Sequence, residues 1–158
     1  LKSPEFPIIA GFGGVVRVSN AVETPRSGAR VVFDVTADAK PGDVNKGLDR
    51  AARLLNLNGA AGLTTADIRI VVVLHGAATK SALNDDFYRL RFGVESNPNS
   101  PLISELKKAG VEVFVCGQAL NYKGFPESAV SQDVPIADSA LTVIVNRQMD
   151  GYACIPVP

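Results

Sequence analysis

Three side chains that can take part in nucleophilic chemistry stand where predicted strands end. Asp34 closes an apolar run at residues 31–33, His75 follows the run at 68–74, and Cys116 ends the run at 111–115. In an open parallel α/β sheet, the carboxyl ends of the strands share one rim, where ligands bind. A cysteine thiolate is a strong nucleophile that a nearby imidazole stabilises. We therefore predict Cys116 and His75 as a catalytic pair, with Asp34 as a binding residue beside them.

Further residues near these strand ends are predicted to bind a ligand. Gly76 comes after the second strand, Gly117 and Gln118 come after the third, and Asn84 opens the next predicted helix. The three central side chains also have structural interpretations: a buried packing thiol, a lone hydrogen-bonded histidine and an aspartate that caps a turn. The sequence leaves both interpretations open.

Several other kinds of site lack the residues that they need. The two cysteines form no CxxC motif and no zinc spacing, and no GxSxG elbow is present. A GxGxxG dinucleotide loop beginning at Gly11 fails at Val16. We predict no metal and no cofactor. Cys154 is predicted to be a packing thiol, and a Cys116–Cys154 disulfide is the alternative for an exported protein.

Composition argues against two classes of partner. Among 158 residues, Lys+Arg and Asp+Glu each total 16, so the formal net charge is zero. Nucleic acids and anionic membranes attract clustered positive charge, so neither is a predicted partner. The longest apolar runs fall far short of the roughly 20 residues that span a bilayer. Because the chain starts at Leu1 rather than Met, we expect a removed leader, although a trimmed chain would look the same.

The chain divides into an arm and one domain. Residues 1–28 carry prolines and glycines without a sustained period, which predicts an extended arm lying on the domain or on a neighbouring subunit. Over 29–158, strand and helix patterns alternate, which predicts a single-domain three-layer α/β sandwich of flavodoxin-like type. Its five-stranded, mostly parallel sheet has helices on both faces. Strands are predicted at residues 31–33, 68–74, 111–115, 134–136 and, as an edge strand, 152–157.

Helices are predicted between these strands from their apolar spacing and terminal residues. The β-branched run at 141–145 is ambiguous, and its flanking residues favour a helix. In chain order, the predicted helices are a segment capped by Asp43 and ended by Gly59 and Gly62, residues 84–92, a segment from Ser100 to Gly110, and a segment after Asp138.

From about Arg30 to its end, the chain resembles the DsrE/DsrF-like family, whose small α/β domains include sulfur-relay subunits of the TusD and YchN type. The resemblance rests on strand order, on Gly76 after the second strand, and on Cys-Gly-Gln-Ala at 116–119 with Gly124 further on. In relay members a thiol at this strand end is thought to carry sulfur as a persulfide. The resemblance thus implies that Cys116 is a sulfur carrier.

The resemblance also implies partners and a setting. We expect homo-oligomers, either trimers or hexamers, with Cys116 near a subunit interface, and a sulfur donor or acceptor that is a protein or a small thiol. Relay subunits often have basic residues after the cysteine loop, where this chain has Asn121, Tyr122 and Lys123. With the arm, this departure resembles an exported branch of the family. A periplasmic location is therefore expected, with the cytoplasm as the alternative.

The predicted function is that of a sulfur carrier or sulfurtransferase-type protein that accepts sulfane sulfur on Cys116. The alternative is a non-catalytic oligomeric module that binds a small ligand or has a structural role. A nucleotide or flavin binder is a third interpretation, based on fold analogy alone, and the missing glycine-rich phosphate loop counts against it.

Overall fold

Five strands form one sheet in the computed structural model, which describes residues 1–158. They are β1 (Ala29–Val35), β2 (Ile68–Leu74), β3 (Glu112–Cys116), β4 (Ile136–Ala137) and β5 (Ala153–Val157). Their order across the sheet is β4-β3-β2-β1-β5, and every neighbouring pair is parallel. The structure therefore confirms the predicted α/β class and five-stranded sheet, with β5 at an edge.

Helices connect these strands. Three short 3₁₀ segments, which the sequence patterns did not predict, lie at Thr65–Asp67, Gly76–Ala82 and Glu127–Ala129. The α-helices are α1 (Lys46–Ala60), α2 (Asp85–Phe92), α3 (Ser100–Lys108), α4 (Gly117–Lys123) and α5 (Ala140–Met149). All but α4 were predicted, and none combines the length and apolar composition that crossing a bilayer requires.

The sheet is buried at its centre and more exposed at its edges. Every residue of β2 except Arg69 is buried, as expected for a central parallel strand covered on both faces. Edge strand β5 contains Pro156, whose missing N–H is tolerated because only one side of β5 has a partner strand. Burial of the strands thus decreases from the centre of the sheet to its edges.

Side chains alternate between two faces that are covered unequally. On one face, Val72 and Val113 belong to a cluster of 28 buried residues that includes Leu48 of α1 and residues of α3. On the other face, Val73 belongs to a cluster of only six, to which α5 contributes Val143. The layers are those of the predicted three-layer sandwich, with α5 alone covering one face.

The first helix begins two residues later than predicted. Asp43 was expected as its cap, but Asn45 caps α1, and its Oδ1 accepts a hydrogen bond from the Gly47 N–H at 2.8 Å. Asn45 is buried, its Nδ2 donates to the Ala37 carbonyl, and its N–H donates to Asn99 Oδ1. These long-range bonds select Asn45, because either residue type can cap a helix.

Other boundaries also differ from the predictions. Gly59 lies inside α1, where an added Cβ would come within 2.8 Å of Ile8 Cγ1, so it serves packing rather than helix termination. Ser139, not Asp138, caps α5 by accepting from the Thr142 N–H at 3.1 Å. Strand β1 continues through Val35, and β4 lies at Ile136–Ala137 rather than 134–136. Local patterns do not resolve offsets of one or two residues.

The N-terminal arm packs against α1 of its own domain, and one buried side chain holds it there. Asn56 Oδ1 accepts hydrogen bonds from the N–H groups of Ile8 and Ile9 at 2.9 and 2.8 Å. Its Nδ2 donates to the carbonyls of Ile9, Phe12 and Gly13. A single helix residue therefore satisfies five hydrogen bonds with arm backbone groups that would otherwise be buried without partners.

Backbone contacts shape the rest of the arm. Glu5 and Val15 exchange two hydrogen bonds in an antiparallel bridge, at 2.7 and 3.0 Å. Asp49 Oδ1 accepts from the Gly13 N–H at 2.8 Å. Gly13 has φ +61°, and a Cβ there would lie 2.2 Å from Arg53 N, so the arm approaches α1 too closely for any side chain. Of the two predicted positions for the arm, the structure shows the one on its own domain.

We predict that Asn56→Ala releases the arm from α1. The substitution removes the hydrogen-bond partner of several buried backbone groups of the arm, so the free energy of unfolding should fall by about 3 kcal/mol. Urea unfolding measures the loss, and limited proteolysis should cut within residues 1–15 first. The matched control is Asn146→Ala on the exposed face of α5, which should change stability little. Equal stability of the two variants would contradict this role.

Candidate functional site

Cys116 lies where β3 ends and α4 begins. It is the N-cap of α4, and its Sγ accepts a hydrogen bond from the Ala119 N–H at 3.4 Å. The side chain is only 6% exposed and belongs to the smaller cluster, together with Ala140 and Val143 of α5. Cys116 is a free thiol. The nucleophile candidate thus stands at the strand end, as predicted, but on the face that α5 covers.

Helix α4 was not predicted, although the sequence contains a signal for it. Leu120 is buried, and Gly124 follows the helix with φ +72°. The N–H of Phe125 donates back to the Leu120 carbonyl at 2.9 Å, which completes a glycine-terminated helix end. A buried leucine four residues before a glycine therefore marks the helix. Its first residues were read as a loop because cysteine is an uncommon cap.

Asp34 and His75 form a close pair on the neighbouring strands. His75 Nε2 lies 2.5 Å from Asp34 Oδ1, with the two side chains 26% and 29% exposed. The His75 N–H donates to the Val35 carbonyl, which continues the β1–β2 pairing one residue beyond β2. The structure therefore brings together two of the three predicted side chains, and the carboxylate holds the imidazole in place.

The strand register relates this pair to Cys116. Leu74 of β2 is the partner of Val115 of β3, so His75 and Cys116 are the next residues of two adjacent strands. Alternation of side chains directs Asp34, His75 and Cys116 to the same face. Asp34 stands two strands away from Cys116, a separation of roughly 10 Å at normal strand spacing. Asp34 can act on Cys116 only through His75.

Cys154 takes no part in this row. Burial, and after it the negative charge of Asp34, raise the pKa of the Cys154 thiol above its ordinary value. A raised pKa keeps the thiol protonated, in agreement with the predicted packing role. Both cysteines are free, and β1 and β2 separate β5 from β3. Three strand spacings, roughly 14 Å, exceed the reach of a disulfide, so the Cys116–Cys154 alternative is wrong.

A crevice opens beside Cys116 between β3 and β4. After β3 the chain turns onto the more covered face with α4, whereas after β4 it turns onto the opposite face with α5. Such a divergence leaves a crevice at the carboxyl ends of the strands, the usual ligand position in open α/β sheets. Here it forms a cavity of about 360 Å³, lined by Gly117, Gln118, Glu127, Ile136, Ala137 and Asp138.

Two predicted binding residues shape this crevice. Gln118 Nε2 donates to the Asp138 carbonyl at 3.1 Å, which spans the gap between the two loops. An added Cβ at Gly117 would lie 2.9 Å from the Ala137 carbonyl oxygen, so only glycine allows the backbone after β3 to pass this close to the end of β4. Gly117 and Gln118 therefore occupy positions beside Cys116.

The other two predicted binding residues lie apart from the row. Asn84 caps α2 by accepting from the Phe87 N–H at 2.8 Å, and it also donates to the Ser128 carbonyl. Gly76 starts the 3₁₀ segment after β2 with φ +54° and lines a different cavity with Lys80 and other residues. Lys80, in the same 3₁₀ segment, was not predicted as a site residue, since a lone lysine between a strand and a helix gives no local signal.

Hydrogen bonds between buried asparagines connect the segments that follow the strands at the rim. Asn97 Nδ2 donates to the carbonyls of Ser81 and Leu83, and its Oδ1 accepts from both nitrogens of Asn99. Asn99 Oδ1 in turn accepts from the Asn45 N–H at 2.7 Å. This series of hydrogen bonds connects the starts of α1 and α3 to the segment after β2. In the same region and elsewhere, no group of three or more His, Cys, Asp or Glu side chains is arranged to hold a metal ion.

Comparison with known proteins gives one family and several solved structures. A search of curated proteins found no match to the chain. A protein of unknown function from Methanobacterium thermoautotrophicum, MTH1491, is 26% identical, with a TM-score of 0.59 over 82% of this chain and 99% of that one. The ychN protein from E. coli is 14% identical, with a TM-score of 0.52 over 82% and 98%. At 14% identity, the similarity to the ychN protein shows only a shared fold.

The family comparison covers the whole α/β domain. The DsrE/DsrF-like family matches residues 30–157, which include all of the helices and strands of the sandwich except Ala29, the first residue of β1, and include the row of Asp34, His75 and Cys116. Residues 1–28, the arm, lie wholly outside the match. Since the match covers most of its length, the chain belongs to the DsrE/DsrF-like family.

Proposed function

We propose that this protein is a sulfur carrier that accepts sulfane sulfur on Cys116. The observation that supports the proposal best is the position of a free thiol at the carboxyl end of β3, one strand from the Asp34–His75 pair. Membership in a family of the sulfur-relay type supports the same chemistry. The proposal joins the family context to a thiol whose neighbours suit group transfer.

Access to the thiol is proposed to run through the crevice between β3 and β4. Cys116 is 6% exposed, so a bulky donor group would not reach it directly. Ala137, the β4 partner of Cys116, and Gly117, its neighbour in the chain, both line the crevice. A terminal sulfur atom is small enough to enter this space while the rest of its donor stays outside.

The transfer itself needs no oxidant or reductant. The Cys116 thiolate attacks the outer sulfur of a donor persulfide, and an S–S bond forms between Sγ and that sulfur. The donor's own S–S bond breaks, and its inner sulfur leaves as a thiolate with the bonding electron pair. The proton of the Cys116 thiol passes to the leaving thiolate. One S–S bond replaces another, so the transferred atom remains sulfane sulfur.

His75 is proposed to carry that proton. Its Nε2 is engaged by Asp34, which leaves Nδ1 as the free ring nitrogen on the strand adjacent to Cys116. A carboxylate that holds an imidazole in one orientation is a common arrangement in thiol and hydroxyl nucleophiles. Asp34 is then a positioning residue, and His75 is the group that accepts and returns the proton.

Intact-mass spectrometry after incubation with a sulfane-sulfur donor tests the carrier role. Wild type should gain one sulfur atom, about 32 Da, because the thiolate is converted to a persulfide. Cys116→Ser should gain none. The matched control, Cys154→Ser, removes the thiol whose pKa is raised and should still be modified. An unmodified wild type, or modification that disappears only with Cys154→Ser, would refute the proposal.

Substitution of His75 tests the proton-transfer role separately. We expect His75→Gln to slow sulfur uptake roughly 100-fold without reducing its final extent, because a general base changes the rate and not the equilibrium. Asp34→Asn should slow it less, since the imidazole remains. The time course of the mass increase gives both rates, and circular dichroism checks the fold. Unchanged rates in both variants would leave the pair with a structural role only.

We also propose that copies of this chain associate through the outer face of α5. Leu141, Val145 and Met149 recur at four-residue spacing on that face and are 75%, 54% and 79% exposed. The same helix is the only cover of the Cys116 face, so association there would also shield the thiol. Apolar side chains exposed in a row on one helix are typical of a contact surface.

Sedimentation velocity tests this association. Wild type should sediment as a trimer or hexamer, and Leu141→Glu should dissociate it, because a charge on the α5 row would be buried without a partner. Leu90→Glu is the matched control, since Leu90 is at least as exposed as Leu141, at 82% against 75%, but lies on α2. A monomeric wild type at its highest soluble concentration would contradict the proposal.

A further inference from the structure

A second cavity lies at the rim, on the opposite side of the sheet from Cys116. Phe125 of this cavity belongs to the larger buried cluster, whereas Cys116 belongs to the smaller one under α5. The cavity, which we name the rim pocket, has a volume of about 210 Å³. Its lining residues are Asp38, Gly76, Ala77, Lys80, Phe92, Lys123 and Phe125.

Positive charge exceeds negative charge in the rim pocket. The Lys80 side chain is only 16% exposed, and its Nζ lies 2.6 Å from Asp38 Oδ1. The hydrogen bond from Lys80 lowers the pKa of Asp38 most, the Ala39 N–H lowers it further, and the charges of Lys80 and then Lys123 make smaller contributions in the same direction. Two lysines and one aspartate therefore line the pocket, and the Asp38 side chain is 69% exposed.

Two aromatic rings form the apolar wall of the rim pocket, and both are held by other rings. Phe92 packs against Tyr88 with centroids 4.8 Å apart, and Phe125 meets Phe87 edge to face at 5.8 Å. The Lys80 ammonium lies 5.7 Å from the centre of the Phe92 ring. Charge and apolar surface thus meet in one pocket whose walls are already in place.

We propose that the rim pocket binds a small organic anion, with its charged group between Lys80 and Lys123 and its apolar part against Phe92 and Phe125. Ligand pockets of proteins combine a mainly apolar lining with a few converging polar groups in this way. The proposal is independent of the sulfur-carrier function, because Cys116, His75 and Asp34 do not line the rim pocket.

The size and charge of the rim pocket restrict the ligand. A volume of about 210 Å³ is below the usual range of ligand pockets, so the ligand is no larger than a single ring or a short chain. One net positive charge is neutralised by a monoanion, such as a carboxylate, rather than by a dianion. Lysine ammonium groups act as point charges and impose no bidentate geometry, unlike arginine.

Titration with benzoate, followed by amide chemical shifts, tests the proposal. The amides of Gly76, Ala77 and Phe125 should shift and saturate. Benzyl alcohol, which has the same ring without the charge, should shift them much less. The absence of saturable shifts with benzoate, or equal shifts with benzyl alcohol, would overturn the proposal.

Charge substitutions show whether the lysines are responsible. Lys123→Gln, at an exposed position, should weaken benzoate binding about fivefold, and Lys80→Gln should weaken it further. Lys108→Gln is the matched control, because it removes the same charge from the last turn of α3, outside the rim pocket, and should leave affinity unchanged.

The substitution Asp38→Asn separates ligand binding from a structural ion pair. If the lysines bind the anion, removal of the competing carboxylate should tighten benzoate binding about fivefold. If Asp38 and Lys80 only stabilise the fold, affinity should not rise. Should Lys80→Gln fail to fold, Lys123→Gln and Asp38→Asn decide the question, and unchanged affinity in both would overturn the proposal.

Discussion

The parallel register of β1, β2 and β3 determines which side chains meet at the rim. Because the three strands are aligned and side chains alternate between faces, Asp34, His75 and Cys116 point to one side of the sheet. A shift of one residue in any strand would move its side chain to the opposite face. The 2.5 Å contact between Asp34 and His75 depends on this alignment, and so does the nearness of His75 to Cys116.

The turns after the strands divide the rim into two sides with different chemistry. The α5 side holds the thiol, the imidazole and their carboxylate, and the side of α1 and α3 holds the two lysines of the rim pocket. The helix α4 runs from Cys116 at one end to Lys123 at the other, so one short element contributes to both sides. The buried asparagines Asn45, Asn97 and Asn99 keep the surrounding turns in position by hydrogen bonds that would be costly to leave unmade.

The unequal covering of the two faces also relates the fold to assembly. The larger cluster is closed by several helices and by the arm, which Asn56 attaches to α1. The smaller cluster is closed by α5 alone, and the outer side of that helix still exposes Leu141 and Met149. The thiol therefore lies on the less protected face, where a second layer of protein would have the greatest effect on its access to solvent.

Local patterns in the sequence were enough to predict the α/β class, four of the five α-helices, the central strands and the position of Cys116 at a strand end. These features can be predicted because the local pattern of apolar residues reflects which positions are buried. For example, β2 is apolar because both of its faces are covered. The cap of α1 depends instead on tertiary contacts, since a hydrogen bond to Asn99, 54 residues away, selects Asn45 over Asp43. The pairing of Asp34 with His75, the ion pair of Lys80 with Asp38 and the presence of Lys123 in the same pocket also depend on the packed structure. Such contacts join residues distant in the chain, and strand register and helix packing, rather than local composition, bring them together.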